Sequence, residues 1–283
     1  MAFYSNLRLA PQSASPRAGR VRAEGAPRRP NARPAGRPTN WAAVTSPLII
    51  LGVWTLLSAS GLFPREIVVP PATLLQTARD LWASGELPNH LAKSLSRLAV
   101  GYAIGAGIGL ALGSLMGMSR QAEAYLLPSF QILRQLPTIA LIPAFIMLFG
   151  VGETVKLVLV AKATALPVAL ATFEGVRGVP KAYFDVSRIY RLRPLQVLTK
   201  VVLPATIPPI VTGLRTALSR SWMVLVGAEL LVADSGLGQM MEWGRQSFRI
   251  DTVLVGVIIT GLIGFSLDKS FRLGERALVR GRR

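Results

Sequence analysis

Charged side chains lie within several long apolar runs of this 283-residue chain. Ionisable groups at such positions are costly, and they usually face the interior of a helical bundle. Guanidinium and ammonium groups lining a cavity could bind a small oxyanion, because they offset the cost of removing the anion from water. Alternatively, the cations pair with Glu229 or with helix C-terminal carbonyls, or extend to lipid headgroups. The candidate residues are Arg134, Gln135, Lys162, Arg215, Ser219, Arg220 and Glu229, of which Gln135 and Ser219 would add hydrogen bonds.

Most other kinds of site chemistry have no support in the sequence. The chain has no cysteine and one histidine, His90, which excludes thiol catalysis and a metal site built from several histidines of this chain. It also lacks the G-x-x-x-x-G-K-[ST] loop that binds nucleotide phosphates. A membrane-embedded enzyme is the second hypothesis, but it would require paired carboxylates, a histidine cluster or an activated nucleophile. The acidic residues lie mostly at the ends of the apolar runs.

The apolar runs predict an all-α membrane protein with six transmembrane helices. Apolar residues make up 51% of the chain, and a run of about 20 residues is long enough to cross the hydrocarbon layer. A short amphipathic helix, PPATLLQTARDLWASG, is expected after the first span, with Trp82 at the membrane interface. Pro128, Pro137 and Pro143 predict a kink in the third span. The spans are expected at residues 41–61, 93–117, 122–150, 153–173, 204–232 and 252–271.

Glycine recurs at every fourth position of the second span, at Gly101, Gly105, Gly109, Gly113 and Gly117. This spacing places the glycines on one face of the helix, where the missing side chains allow another helix to approach closely. Close packing is the favoured interpretation, and a hinge is the alternative. In the fifth span, we expect Trp222 to pack in the core.

Positive charge is concentrated in a few segments of the chain, whose formal net charge is +18. Residues 1–40 combine Arg with Pro, Ala, Gly and Ser, which predicts a disordered tail. This tail, the loop 177–203 and the basic tail 274–283 would share one side of the membrane, so both termini are expected in the cytoplasm. The Arg-rich tail could contact anionic lipid. It is also the only support for a third hypothesis, a nucleic-acid-binding membrane protein.

The loop 177–203 is basic, amphipathic and punctuated by proline. It contains Asp185-Val186-Ser187, and Pro204 of the pair Leu203-Pro204 follows Asp185 by nineteen residues. This pattern resembles the motif by which permease subunits of binding-protein-dependent ATP-binding cassette (ABC) importers bind their ATPase. The resemblance covers about residues 45–278 and includes, in order, NHLAKSLSRLAVGYAIGAGIGLALG, ILRQLPTIALIPAFIMLFGVGE, the loop, GLRTALSRSWMVLVGAELLVADSGLG and RIDTVLVGVIITGLIGFSLDKSFRLGERAL.

The resemblance is to the branch of this family that includes aliphatic sulfonate, taurine and nitrate permeases. It implies a type I importer fold, with a coupling helix around residues 182–193 that seats in a cleft of the ATPase. It also implies a bacterial inner-membrane homodimer with two ATPase subunits, which bind ATP and Mg²⁺, and a periplasmic or lipid-anchored solute-binding protein. The expected solute is a small anion, and a different small solute is the alternative. The implied coupling residues are Asp185, Val186, Ser187, Arg188, Arg191, Arg193, Leu203 and Pro204.

One position departs from the family pattern in a way that affects the backbone. Arg191 stands where glycine is usual, and glycine would permit the positive φ that arginine adopts reluctantly. We therefore expect Pro194 to set the bend after the coupling helix instead.

Overall fold

A computed structural model describes residues 40–62, 64, 68–232 and 234–280, and its regular elements in these ranges are all helical. The predicted disordered tail lies outside the described residues except for residue 40, as do the last three residues of the basic C-terminal tail. The chain divides after Ile50, and apart from helix α1, Asn40–Ala59, the description below concerns the unit from Leu51 onward.

Ten further helices follow α1 in the described chain. A 3₁₀ turn, Ile139–Leu141, precedes α5, and a π turn, Leu198–Val202, precedes α9. The helices are α2 Pro71–Ala83, α3 Glu86–Met118, α4 Arg120–Gln135, α5 Ile142–Phe149, α6 Glu153–Arg177, α7 Lys181–Ile189, α8 Pro194–Val197, α9 Leu203–Val232, α10 Leu237–Gln246 and α11 Ile250–Arg280.

Four helical segments are long and apolar enough to cross a membrane: Glu86–Met118, Glu153–Arg177, Thr199–Val232 and Ile250–Glu275. The apolar part of α1, Thr45–Ala59, is shorter. The protein is therefore a multi-pass all-α membrane protein, while the predicted number of six spans is not confirmed by the described residues. The expected amphipathic helix is present as α2, whose buried residues Leu74, Thr77 and Leu81 lie on one face, with Trp82 exposed.

The predicted third span, 122–150, is not a single helix. Its two parts, Arg120–Gln135 and Ile139–Phe149, meet at an angle of 90°. Leu136 has extended backbone with ψ 118°, because the ring of the following Pro137 disfavours the helical conformation at this position. Pro137 therefore breaks the helix rather than bending it. Pro128 lies inside α4 and Pro143 lies in the first turn of α5, where proline is well tolerated.

The glycine face of α3 packs directly on α6, which confirms the close-packing prediction. A methyl group added at Gly105 would lie 2.4 Å from the carbonyl oxygen of Ala161, and one at Gly113 would lie 2.4 Å from that of Ala169. These distances are far below the optimum of about 3.5 Å for non-bonded atoms, so only glycine permits this approach. A methyl group added at Gly101, Gly109 or Gly117 would also lie too close to an atom of α6, at 2.7, 2.6 and 2.7 Å respectively.

Helix α6 lies between α3 and α9 and packs against both. On the α9 side, a methyl group at Gly213 would lie 2.3 Å from Cβ of Ala171. One buried cluster joins α2, α3, α9, α10 and α11 around Leu98, Leu225 and Met240. The three central helices thus form the frame that positions the candidate site.

Candidate functional site

An open groove runs along α6 and α9 and consists of three adjoining cavities. The first, of about 270 Å³, and the second, of about 660 Å³, share Arg134, Pro167 and Arg220 in their linings. The second and the third, of about 220 Å³, share Glu174 and Pro209. Along α6 the groove extends from Lys162 to Gly178, about 24 Å at the helical rise per residue.

Three predicted cations line this groove. Arg134, at the end of α4, and Arg220, on α9, are exposed to the groove, and neither forms an ion pair within the described part of the chain. Lys162 donates hydrogen bonds from Nζ to the carbonyl oxygen of Leu136 at 3.1 Å and to Oγ1 of Thr138 at 3.2 Å. The bend between α4 and α5 therefore brings Arg134 and the Lys162 contacts to the same end of the groove.

Other predicted residues lie elsewhere or have structural partners. Gln135 is exposed and Ser219 is half-buried, and neither is among the residues that line the three cavities. Arg215 pairs with Asp268 at 3.0 Å and with Glu275 at 3.1 Å, joining α9 to α11. Trp222 packs in the core as predicted, with its ring N–H donating to the carbonyl oxygen of Thr260 at 3.1 Å.

Glu229 lies outside the groove, in a buried ionic cluster near the end of α9. Its side chain is 0% exposed. One carboxylate oxygen accepts a hydrogen bond from Nη1 of Arg97 at 2.8 Å, and the other accepts bonds from Oγ of Ser94 at 2.7 Å and from the backbone N–H of Gly238 at 3.1 Å. These donors satisfy a carboxylate whose burial without partners would be strongly unfavourable.

The start of α10 is capped by side chains of other helices. The backbone N–H of Gly236 donates to Nδ1 of His90 at 2.9 Å, and that of Leu237 donates to Oγ of Ser94 at 2.9 Å. Together with the Gly238 bond to Glu229, three consecutive N–H groups are thus bound by α3 and α9. A negative carboxylate at this position also interacts favourably with the helix dipole of α10.

Arg97 is the centre of the ionic cluster. Nε and Nη2 donate to the two carboxylate oxygens of Glu153, each at 2.6 Å, and Ser235 accepts two further bonds, at 2.5 Å on its carbonyl oxygen and 2.7 Å on Oγ. With the Glu229 bond, all five guanidinium donors have acceptors. Lys156, also 0% exposed, extends the cluster to Glu153 at 2.9 Å and Asp234 at 3.3 Å.

Of this cluster, only Glu229 was predicted from the sequence as a candidate site residue. His90, Ser94 and Arg97 precede Gly101 at helical spacing, so a polar continuation of the glycine face was visible in the sequence. Their partners, however, follow 56 to 146 residues later in the chain, and no local pattern connects them.

The segment that was predicted to contain a coupling helix forms a helix, α7, Lys181–Ile189. Tyr183, Val186, Ile189 and Tyr190 are exposed, and Ser187 is buried. Asp185 and Arg188 are both exposed, and Oδ1 of Asp185 lies 3.6 Å from Nη1 of Arg188. The backbone N–H of Arg193 donates to the side-chain oxygen of Gln196 at 2.9 Å, and Leu203 is exposed at the start of α9. The described face of α7 is thus a short apolar surface flanked by charges.

Arg191 itself forms the bend after α7, and the prediction that Pro194 would set the bend is wrong. Arg191 has φ 48°, in the left-handed region. The N–H of Leu192 donates to the carbonyl oxygen of Ser187, and the N–H of Arg191 donates to that of Arg188, both at 3.0 Å. These two bonds form a Schellman motif, in which glycine is the usual left-handed residue. Pro194 instead begins α8.

Comparison with known proteins identifies the family. The family model of binding-protein-dependent transport system inner membrane components matches residues 103–280. The putative aliphatic sulfonates transport permease protein SsuC of Bacillus subtilis (strain 168) is 38% identical over 236 residues, covering 83% of this chain and 86% of SsuC. The taurine transport system permease protein TauC of Escherichia coli (strain K12) is 32% identical over 235 residues, covering 81% and 86%. The bicarbonate transport system permease protein CmpB of Synechococcus elongatus (strain ATCC 33912 / PCC 7942 / FACHB-805) is 33% identical over 188 residues, covering 66% and 68%.

A solved structure shows the same fold. The MetNI methionine ABC transporter, in inward-facing conformations, matches with a TM-score of 0.52 and 23% identity, over 65% of this chain and 94% of the matched chain. The family match, the relatives and the fold agree with one another. The chain therefore belongs to the family of binding-protein-dependent transport system inner membrane components and is the permease subunit of an ABC importer.

Proposed function

We propose that this permease subunit conducts small oxyanions of the aliphatic sulfonate or taurine type along the groove between α6 and α9. The observation that carries the proposal is the exposure of Arg134 and Arg220 to one cavity, without ion pairs in the described chain. A guanidinium presents a planar set of donors that matches an oxyanion, so two of them offset its dehydration. The substrate names of the relatives SsuC and TauC favour the same solute class.

Bicarbonate is the second candidate solute. One relative, CmpB, is a bicarbonate transport system permease, and bicarbonate is also a small oxyanion that the same two arginines could bind. Nitrate is a third candidate, because the resemblance described above is to the branch that includes nitrate permeases. Direct competition between a sulfonate, bicarbonate and nitrate for uptake distinguishes these candidates.

The proposed assembly contains two copies of this chain, two ATPase subunits and one solute-binding protein in the bacterial inner membrane. The ATP and Mg²⁺ would bind to the ATPase subunits, because this chain has no phosphate-binding loop. Asp185, Val186, Ser187, Arg188, Arg191, Arg193, Leu203 and Pro204 would form the ATPase-coupling surface. Both termini and α7 would lie on the cytoplasmic side, as the distribution of Lys and Arg indicates.

In the proposed mechanism, closure of the ATPase subunits moves α7, and the helices on either side of it, α6 and α9, move with it. The groove then becomes accessible from the side of the solute-binding protein, and ATP hydrolysis restores the opposite state. Conduction requires that the solute bind well enough to enter and weakly enough to leave. Groove cations that face a cavity of several hundred Å³ meet both needs, since water still reaches them.

Removal of the groove charges tests the anion path. We expect the combined substitution Arg134→Gln, Lys162→Gln and Arg220→Gln to lower uptake of a labelled alkanesulfonate about tenfold or more, the effect of losing hydrogen bonds to a charged group. The matched control is Arg79→Gln, an exposed arginine on α2 outside the groove. The charge-retaining set Arg134→Lys, Lys162→Arg and Arg220→Lys should keep part of the activity. Unchanged uptake in the triple glutamine variant would exclude the path.

Charge reversal in α7 tests the coupling surface. We expect Asp185→Arg to reduce the amount of ATPase that copurifies with this chain, because Asp185 occupies the acidic position of the docking motif. Asp80→Arg on α2 is the control, since it makes the same charge change at another exposed position. Normal copurification and uptake in Asp185→Arg would place the ATPase interface elsewhere.

A further inference from the structure

The segment 234–246, which contains α10, is attached to the helical frame by polar groups that the proposed anion path does not use. Leu237, Met240 and Met241 pack into the apolar core. The turn before them is bound separately, by His90, Ser94, Arg97 and Glu229. These polar bonds hold the turn in addition to the apolar contacts of α10.

Space around the turn is also fitted to the carboxylate of Glu229. A methyl group at Gly236, whose φ is +114°, would lie 2.3 Å from that carboxylate, and one at Gly238 would lie 2.5 Å from Cβ of Glu229. The turn therefore lies against Glu229 without room for a side chain at either position. Its conformation depends on the carboxylate, and the carboxylate depends on Arg97.

The cluster has a buried half and an exposed half. Arg97, Lys156 and Glu229 are buried, whereas the side chains of Glu153 and Asp234 are 55% and 87% exposed. The buried pair, Arg97 and Glu229, links α3 to α9. The exposed carboxylates link the same cations to the start of α6 and to the segment before α10. Forces applied at the exposed half can therefore reach the buried half through Arg97.

The cluster and the groove occupy different parts of α6. Lys156 precedes the groove residue Lys162 by six positions, about 9 Å along the helix. The groove extends from Lys162 in the opposite direction, to Pro180 beside α7. Arg97 thus lies at the end of α6 that is remote from α7.

We propose that Arg97 is a positioning residue that fixes α10 on the frame and transmits contact at the segment 234–246 to α6. Resting on the proposed function, the contacting partner is the solute-binding protein, which would reach this end of the bundle from the side opposite the ATPase. Arg97 donates to Glu229 on α9, to Ser235 before α10 and to Glu153 on α6 at once. Lysine has no planar fork and could not reproduce all of these bonds.

Cysteine labelling tests the position of α10 directly, because the chain has no cysteine of its own. Met240→Cys places a thiol on the buried face of α10, and Met116→Cys provides an equally buried control near the other end of α3, each site being 1% exposed. We expect Arg97→Met to raise the maleimide labelling rate at position 240 by a factor of about 10 to 100. This is the range for losing hydrogen bonds to a charged group. The rate at position 116 should stay unchanged.

Two further variants separate positioning from general loss of structure. Adding Glu229→Gln to Arg97→Met should lower the labelling rate relative to Arg97→Met alone, because a buried carboxylate without its cation is the less stable state. Glu153→Gln removes the link to α6 but keeps Glu229 paired. In this variant we expect normal protection at position 240, normal basal ATP hydrolysis by the assembled complex, and reduced stimulation by the solute-loaded binding protein.

The possible outcomes are distinct. An unchanged labelling rate at position 240 in Arg97→Met, or an equal rise at position 116, would overturn the positioning role. Normal stimulation in Glu153→Gln would overturn the link to α6. If Arg97→Met does not accumulate in the membrane, Arg97→Lys, which keeps the charge but loses the planar set of donors, provides the same labelling test. Labelling requires neither ATPase nor solute, so failure of the proposed function would leave its result unaffected.

Discussion

Gly105 lies where α3 approaches the backbone of α6 closely, and its replacement by alanine tests whether the glycine face sets the distance between these helices. The added Cβ would lie 2.4 Å from the carbonyl oxygen of Ala161, 2.9 Å from its Cα and 2.6 Å from Cβ of Thr164. Two of these three neighbours are backbone atoms, which cannot rotate away. Restoring a normal separation of about 3.5 Å therefore requires the helices to move apart by about 1 Å.

The expected free-energy cost follows from this displacement. Overpacking in a well-packed interior costs about 1–3 kcal/mol, and the backbone contacts place Gly105→Ala in the upper half of that range. Alanine also gains about 1 kcal/mol in helix propensity relative to glycine. We isolate the steric cost by comparison with Gly107→Ala, on the same helix, where an added Cβ has nothing within 4 Å.

The assay is the midpoint of denaturant-induced unfolding of the purified protein in detergent micelles. We expect Gly107→Ala to be as stable as the parent or more stable, and Gly105→Ala to be less stable than Gly107→Ala by about 2–3 kcal/mol. Because both variants gain the same propensity, the difference reports the contact with α6. Equal stability of the two would refute the inference that the glycine face fixes the distance between the helices.

A second substitution extends the test to the whole helix pair. Gly113→Ala meets the carbonyl oxygen of Ala169 at 2.4 Å, about 12 Å along α3 from Gly105. Sites this far apart are usually additive. If α3 and α6 move apart as rigid rods, however, the first alanine makes room for the second, and the combined cost is less than the sum. A fully additive result would show that the helices bend locally instead.

Two other substitutions have expected outcomes. Arg191→Gly should keep or raise the stability of the α7 region, because a non-glycine residue in the left-handed conformation costs about 1–2 kcal/mol. Arg191→Val should reduce the amount of ATPase that copurifies with the chain. Equal copurification of the ATPase with both variants would contradict the importance of this backbone conformation. Gly236→Ala, whose methyl group would meet the carboxylate of Glu229 at 2.3 Å, should lower the thermal unfolding midpoint, and Gly261→Ala, with nothing within 4 Å, is its control. A Gly236→Ala midpoint equal to that of the control would contradict the fitted turn.

The sequence predicted those features that depend on local periodicity. The four-residue spacing from Gly101 to Gly117 predicted the packed face of α3, because a helix places such positions on one side whatever lies opposite. Amphipathic α2 and α7 were predicted for the same reason. The strong effect of Pro137 on Leu136 was underestimated, since a proline within an apolar run is compatible with either a kink or a break.

The features that the sequence could not predict depend on contacts between distant segments. No local pattern marks Arg97 as a site residue, because its partner Glu229 is 132 residues away. Arg215 resembled Arg220 in the sequence, yet Arg215 faces Asp268 and Arg220 faces the groove. Which arginine is paired and which faces the groove depends on the rotation of α9 within the bundle, and a single sequence does not contain that information.

In the proposed anion path, the helix break at Pro137 would also affect how strongly Lys162 binds a passing anion. The carbonyl oxygen of Leu136 lies where the helix ends, and the ammonium group of Lys162 already donates to it. An incoming anion would have to compete with this carbonyl for the ammonium protons. Lys162 would therefore bind the anion only briefly, and its hydrogen bond to the carbonyl oxygen of Leu136 would form again once the anion has moved on. In the proposed path, the helix break at Pro137 would thus shorten the time that an anion stays bound at Lys162, which favours turnover over retention.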